Sequence, residues 1–346
     1  MKHLPTRRRV AWIPVVIVVL SLVLMACQSA QEQVVVYTSV DQVFSEPILT
    51  RFEEETGIDV LAVYDVEAAK TTGLVNRLIA EKTNPQADVF WNGEFAQTII
   101  LKEEDVLAPY TSPNAAEIPA AYRDPEDAWV GFAGRARVLL ANTDLVSAED
   151  MPDSIQDLLD PAWPGDQLGM AYPLFGTTAT HAAALYAHWG AEEARAYFEA
   201  LADRDIRVVD GNSVVRDMVA DGRLAYGMTD TDDACGAVEK GAPVQIIFPD
   251  QGADQMGTLI VPNTVALIAG GPNPRNGQAF IDYLLSDDVT EALIASGWSH
   301  VTLDSSAAST SACLPTTSIR GMDVALTEVY KQMEPAKNDL LTIFVQ

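Results

Sequence analysis

Residues 210–234 read DGNSVVRDMVADGRLAYGMTDTDDA, and this stretch decides the fold class. Gly211, Asn212 and Ser213 supply a turn, with Ser213 as a helix N-cap. Val214, Val215, Met218 and Val219 then recur at helical spacing and give a short helix one apolar face. Gly222 stops that helix, and residues 224–228 read as a short buried strand. The strand runs into Thr229-Asp230-Thr231-Asp232-Asp233. A helix, a buried strand and a polar strand end in this order belong to an α/β sheet, where ligands sit at strand ends and helix starts. The stretch therefore offers free N–H groups at one end and three carboxylates at the other. Plain helix capping accounts for the same residues without any ligand.

Upstream, the pattern repeats. Val34-Val35-Val36-Tyr37 is a β-type run that ends in the small polar residues Thr38, Ser39 and Asp41. Phe44, Ile48 and Phe52 keep helical spacing, with Ser45 as N-cap, Pro47 in the first turn and Gly57 as the stop. Residues 58–63 form a second strand, and Leu74, Leu78 and Ile79 mark a second helix. Residues 88–91 form a third strand that ends at Asn92-Gly93-Glu94, before a helix around Ile99. The alternation predicts a mostly parallel sheet covered by helices. Two long β-type runs, residues 129–142 and 258–269, bracket the middle of the chain and read as passages between two lobes.

The N-terminus sets the compartment. Lys2 and Arg7–Arg9 precede an apolar run over residues 10–26, which closes in Leu24-Met25-Ala26-Cys27. This is the order of a bacterial secretory signal. Cys27 behind a small residue resembles the lipobox of bacterial lipoproteins, and the resemblance implies cleavage after residue 26 and lipidation at Cys27. The run is slightly short for a membrane span of about 20 residues, and Pro14 interrupts it. The expectation is an extracytoplasmic protein of about 320 residues, held to the membrane by lipid.

Charge narrows the partners. The chain carries −27, and loss of the signal, with four basic and no acidic residues, takes it to about −31. Such a surface excludes nucleic acid, whose phosphates require positive charge. It suits cations as ligands, or a salt-rich habitat. Cys235 and Cys313 remain besides Cys27, and outside the cytoplasm they can pair.

Seven stretches together resemble the extracellular solute-binding proteins of ABC importers, of the ferric-iron-binding type. They are VVVYTSVDQVFSEPILTRFEEETG, GLVNRLIAEKTNPQADVFWNGE, GFAGRARVLLANTDLV, DLLDPAWPG, PLFGTTATHAAALY, GNSVVRDMVADGRLAYGMTDTDDA and PNTVALIAGGPNP. The resemblance implies a two-lobe, type II periplasmic-binding-protein-like α/β fold with crossing hinge strands. It places the signal at 1–26, a first lobe at 27–134, a second at 135–262, and a return to the first with C-terminal helices at 263–346. It also implies a non-enzymatic protein that delivers ligand to a permease and its ATPase, with Fe³⁺ or a ferric chelate as transported ligand and no cofactor.

One departure stands out. Iron-binding members carry adjacent tyrosines after the strand that matches residues 224–228, and here Thr231 and Asp232 take that place. The family's early ligand position falls near Val40 or Asp41, and its glutamate matches Glu94.

The candidate ligand-binding set is Thr38, Ser39, Asp41, Asn92, Glu94, Thr177, Thr178, Asn212, Ser213, Thr231 and Asp232, with Glu94 and Asp232 as metal ligands. Hard cations favour such oxygen donors. Helix starts at Thr177-Thr178 and Asn212-Ser213 suit an anion. A cation with a bridging anion, or a zwitterion such as an aminophosphonate, uses both ends. Arg135 and Arg137 alternate with apolar residues on a crossing strand, where one can face the cleft or bridge lobes. His181 reads as a packed helix residue.

A ligand sensor fits the same features. A metal-dependent hydrolase fits poorly, because no G-x-S-x-G or H-E-x-x-H motif is present. Cys27→Ala is expected to leave an unprocessed precursor or a protein released from membranes, as read by fractionation and intact mass.

Overall fold

The computed structural model describes residues 32–64, 72–303, 313–314 and 318–345. The expected signal and lipidation site, and most of the Ser/Thr-rich stretch after residue 304, lie outside these residues.

The first half is built on β1 (Gln33–Thr38), which pairs in parallel with both β2 (Asp59–Tyr64) and β3 (Val89–Asn92). Val34, Val36 and Tyr37 are buried, as a near-continuous apolar parallel strand requires. Helix α1 (Gln42–Thr56) connects β1 to β2 and ends at Gly57, whose φ of 73° lets its N–H bond Glu53 O. Helices α2 (Thr72–Ala80) and α3 (Ala96–Glu103) and the short β4 (Leu107–Ala108) follow.

The middle segment holds β6 (Leu168–Ala171), α4 (Gly176–Trp189), α5 (Ala191–Asp203), β7 (Arg207–Val209), α6 (Asn212–Ala220), β8 (Tyr226–Asp230), α7 (Thr231–Glu239) and β9 (Val244–Ile247). Here too the inner pairings, β6 with β7 and β6 with β8, are parallel.

Two strands join the halves. β5 (Val130–Asn142) and β10 (Ile260–Ile268) run antiparallel. Residues 130–136 of β5 pair with β10, whereas residues 137–142 pair with β8 and β9. The hydrogen-bonded order is β2-β1-β3-β10-β5-β8-β6-β7, so one path passes through two half-sheets that share β5. The β5–β10 register shifts between Pro262 and Asn263. Pro262 has no N–H to offer a ladder, which makes a bulge the natural solution there.

Helices α8 (Pro274–Leu284) and α9 (Asp287–Ala295) pack on the first half, where Phe280 meets Phe52 edge-on at 5.0 Å. The last helix, α10 (Leu326–Phe344), does not stay with them. Its buried residues Leu326, Val329, Ala336 and Leu340 join the core cluster of α4 and α5, so the chain ends on the half built by its middle segment.

Three local expectations are corrected. Helix α1 opens at Gln42 after Asp41, so Ser45 is not its cap. Ser45 Oγ instead donates to Val40 O and Asp41 O, and Pro47 lies inside the helix on an exposed face. Ser213 is not the cap of α6 either, because the helix begins one residue earlier behind Gly211. Ser213 is exposed, and so is Val214, while Val215, Met218 and Val219 form the buried face. The strand expected at residues 224–228 ends at Asp230 instead, and α7 starts at once.

Cys235 in α7 and Cys313 form a disulfide, with Cα atoms 5.4 Å apart and 78 residues of separation. Closing a loop of that length removes much unfolded-state freedom. Cys235→Ser and Cys313→Ser are each expected to cost about 2–4 kcal/mol in denaturant unfolding, and reduction of the wild type should reproduce that loss.

Candidate functional site

Polar strand ends of the two halves face a cleft of about 480 Å³. It is lined by Ser39, Asp41, Phe44, Gly93, Glu94, Arg135, Asp232, Gly297 and Trp298. The first half contributes two strand ends held in one network. Ser39 Oγ donates to Asn92 Oδ1 (2.5 Å) and accepts from Gly93 N (3.0 Å). Asn92 Nδ2 donates to Glu94 Oε1 (2.9 Å) and to Thr98 Oγ1 (3.2 Å). Glu94 caps α3, accepting from Ala96 N at Oε2 (2.5 Å) and Gln97 N at Oε1 (2.9 Å). Oε1 thus takes two donors, while Oε2 keeps a lone pair for the cleft. Burial pushes the Glu94 carboxyl above its ordinary range, against the pull of these donors and of the Arg135 guanidinium.

An aromatic wall completes this side. Trp298 packs against Phe44 with the rings tilted by 40° and their centroids 5.2 Å apart, and the Arg135 guanidinium lies 5.7 Å from the Trp298 ring. Trp298 is fixed at the bulge, where its Nε1 donates to Asn263 Oδ1 (2.6 Å) and Asn263 Nδ2 donates to Ala133 O (2.8 Å). A Cβ on Gly93 would lie 2.9 Å from the Trp298 ring, so only glycine admits that approach.

The second half contributes a layered set of ion pairs. Arg137 is 0 % exposed and donates to Asp230 Oδ1 (2.7 Å), Asn212 Oδ1 (3.0 Å), Thr177 Oγ1 (3.2 Å) and Thr178 Oγ1 (3.3 Å). Arg216 holds Asp233 at 2.9 Å. Arg135 stands 3.7 Å from Asp232, whose Oδ1 has no hydrogen-bond partner among the described residues. Carboxylate atoms of Asp230, Asp232 and Asp233 lie within 4.8 Å of one another, and each acid faces one arginine. Cys235, His300 and Cys313 form a second cluster of potential metal ligands, but its sulfurs are joined in the disulfide.

The residues expected at the site thus separate. Ser39, Asp41, Glu94 and Asp232 line the cleft, and Asn92 lies buried behind them. Thr38 is buried and accepts from Val40 N, while Thr231 accepts from Ala136 N and braces α7 against β5. Thr177, Thr178 and Asn212 surround the Arg137–Asp230 pair, and Ser213, exposed on α6, is not among the described residues that line the cleft. Phe44 and Trp298 were missed as cleft residues. Phe44 fits the apolar spacing of a helix face, and only the Gly297-Trp298 pair after α9 offers a sequence signal for the other. Among the described residues that line the cleft there is no tyrosine.

Two half-sheets meeting at crossing strands around a polar cleft define a two-lobe solute-binding fold. The model of the bacterial extracellular solute-binding protein family matches residues 48–312, and the chain belongs to that family. Iron uptake protein A1 of Synechocystis sp. is 24% identical over 283 residues, covering 79% of this chain and 76% of that one. A putative 2-aminoethylphosphonate-binding periplasmic protein of Salmonella typhimurium is 25% identical over 233 residues, 65% of each chain. Among solved structures, a Trichodesmium protein in complex with iron and citrate superposes with a TM-score of 0.80. It is 20% identical, over 91% of this chain and all of that one. The family places the protein outside the cytoplasm. Among the described residues, no helix is long and apolar enough to cross a membrane.

His181 in α4 is buried beside Arg137. Burial, then the guanidinium charge, lower its pKa to about 3. An unfolded histidine titrates near 6.5. The unfolded chain therefore binds more protons between about pH 3 and 6.5, and stability falls as pH drops through that window. Asp233 acts in the opposite sense, because burial and the Asp232 charge raise its pKa to about 6, so its contribution is lost as pH rises from about 4 to 6. His181→Gln is expected to flatten the fall of melting temperature between pH 6.5 and 4, measured by calorimetry.

Proposed function

We propose that this protein is the solute-capturing component of an ABC importer, a binding protein and not an enzyme. It closes on a small ligand between a lobe of 27–134 with the return from 263 and a lobe of 135–262 that also carries the last helix α10, and hands the ligand to a membrane permease driven by an ATPase. A lipid on Cys27 holds it at the membrane.

The observation that carries the ligand reading is the loose Arg135–Asp232 pair. It spans 3.7 Å in the cleft, whereas the Asp230 and Asp233 pairs are closed at 2.7 and 2.9 Å. A ligand bearing both signs can enter there. Its anionic group meets Arg135, and its cationic centre meets Asp232, Asp41 and the free side of Glu94. A ferric ion chelated by a small carboxylate fits this description, and the iron-handling relatives favour it. A hard ferric centre takes anionic oxygen. The carboxylates supply such oxygen, while no phenolate is among the described residues that line the cleft.

A second reading, a zwitterion such as 2-aminoethylphosphonate, is favoured by the Phe44–Trp298 wall. Aromatic faces attract an ammonium group at about 0.5–2 kcal/mol.

Calorimetric titration with ferric citrate, free ferric iron and 2-aminoethylphosphonate tests both. One of the two-signed ligands should bind, and free ferric iron should give no tyrosinate colour. Each charge-assisted hydrogen bond is worth about 1.5–3 kcal/mol. Arg135→Ala and Asp232→Ala should therefore each weaken binding roughly 10- to 100-fold, with melting temperature nearly unchanged. Unaltered affinity in both variants would remove the pair from the site.

A further inference from the structure

Three helices of the second half open toward one point. α4 follows Phe175, α6 follows Gly211 and α7 follows Asp230, and none has a side chain capping its first turn. Helix N-termini carry partial positive charge and unpaired N–H groups. The fully buried Arg137 adds a whole positive charge at the same place, and its Nε has no acceptor among the described residues. Such an arrangement is a seat for an anion. The sequence alone suggests that the seat receives the acidic end of a ligand.

The structure gives the seat a different occupant. Asp230, 5 % exposed, turns its carboxylate away from its own helix and into the cradle. Oδ1 accepts from Arg137 (2.7 Å), and Oδ2 accepts from Thr177 Oγ1 (2.5 Å) and Asn212 Nδ2 (2.8 Å). These donors come from β5, α4 and α6, so Asp230 is held from three elements. Thr177 and Asn212, the residues best placed to grip an incoming anion, are already committed to it and to each other (2.9 Å).

We infer that Asp230 is a built-in anion, a specificity-determining residue whose carboxylate fills the anion seat of the second lobe and bars inorganic phosphate or a small carboxylate from it. Any anionic group of the ligand is then left with Arg135 alone, and cargo that needs a separate co-bound anion is selected against. The inference takes its location from the cleft reading above. Its test uses anions alone, so it stands or fails without any transported ligand.

The full mature chain is compared with Asp230→Ala and Asp230→Ser by thermal melting. Sodium formate, acetate and phosphate are titrated at constant ionic strength against chloride. The wild type should show no saturable response beyond chloride. The variants, with the seat emptied, should melt lower and be rescued in a saturable way, formate raising the transition by about 2–4 °C at several times its dissociation constant. Adding Thr177→Val to Asp230→Ala should abolish that rescue. Folded variants indifferent to all three anions would overturn the inference. So would a saturable phosphate or formate response of the wild type that Thr177→Val removes. If neither variant accumulates, the wild-type titration decides alone: indifference supports the built-in anion, and a Thr177-dependent response refutes it.

Discussion

The second lobe is organised by one buried charge. Arg137 sits on the crossing strand with no exposure to solvent. An ion in that position costs several kcal/mol unless it is paired and hydrogen-bonded. Asp230, Thr177, Thr178 and Asn212 meet the requirement, and they come from β8, α4 and α6. The strand, two helix starts and a neighbouring strand end are thereby locked in one arrangement where β5 enters the second half-sheet. Removing one partner of such a pair leaves the other buried and uncompensated, at about 3–5 kcal/mol. The shape of the cleft wall on this side follows from solvating Arg137, and the low proton affinity of His181, set first by burial, is lowered further by the same charge.

The pairs differ in commitment from inside to outside. Arg137–Asp230 is closed and buried, Arg216–Asp233 is closed and half-buried, and Arg135–Asp232 is open and borders the cleft. Coulomb attraction weakens along that series because distance and solvent access both increase. The outer pair is the one that a ligand can divide at low cost. On a larger scale the charge of −27 draws cations toward the protein, while the matched arginines keep the local cleft from being a bare acidic sink.

The order of elements was legible because parallel strands buried on both faces are written as runs such as Val34-Val35-Val36 and end in small polar residues. Ser39, Glu94 and Asp232 could be named for that reason. Helix starts were less legible. Ser45 and Ser213 are good caps by residue type, yet Asp41 and Gly211 precede the actual first turns, because strand ends rather than cap chemistry fix where these helices begin. The use of Asp230 could not be read at all. Sequence spacing places it beside Asp232 and Asp233, but its direction depends on Arg137, 93 residues away. Trp298 was hidden for the same reason, since its orientation rests on Asn263 at a bulge that only the β5–β10 register creates.

β5 and β10 lie side by side and form one strip between the halves. A strip alone would let two bodies also turn about its length. The chain crosses once more, because Val301 bridges Gly134 on β5 while α10 packs on α4, and Cys313 on that passage is bonded to α7. That crossing joins the halves a third time, and three joins would resist torsion more than two. Closure would then bring the same opposing residues together each time, and selectivity would be set by which residues face each other.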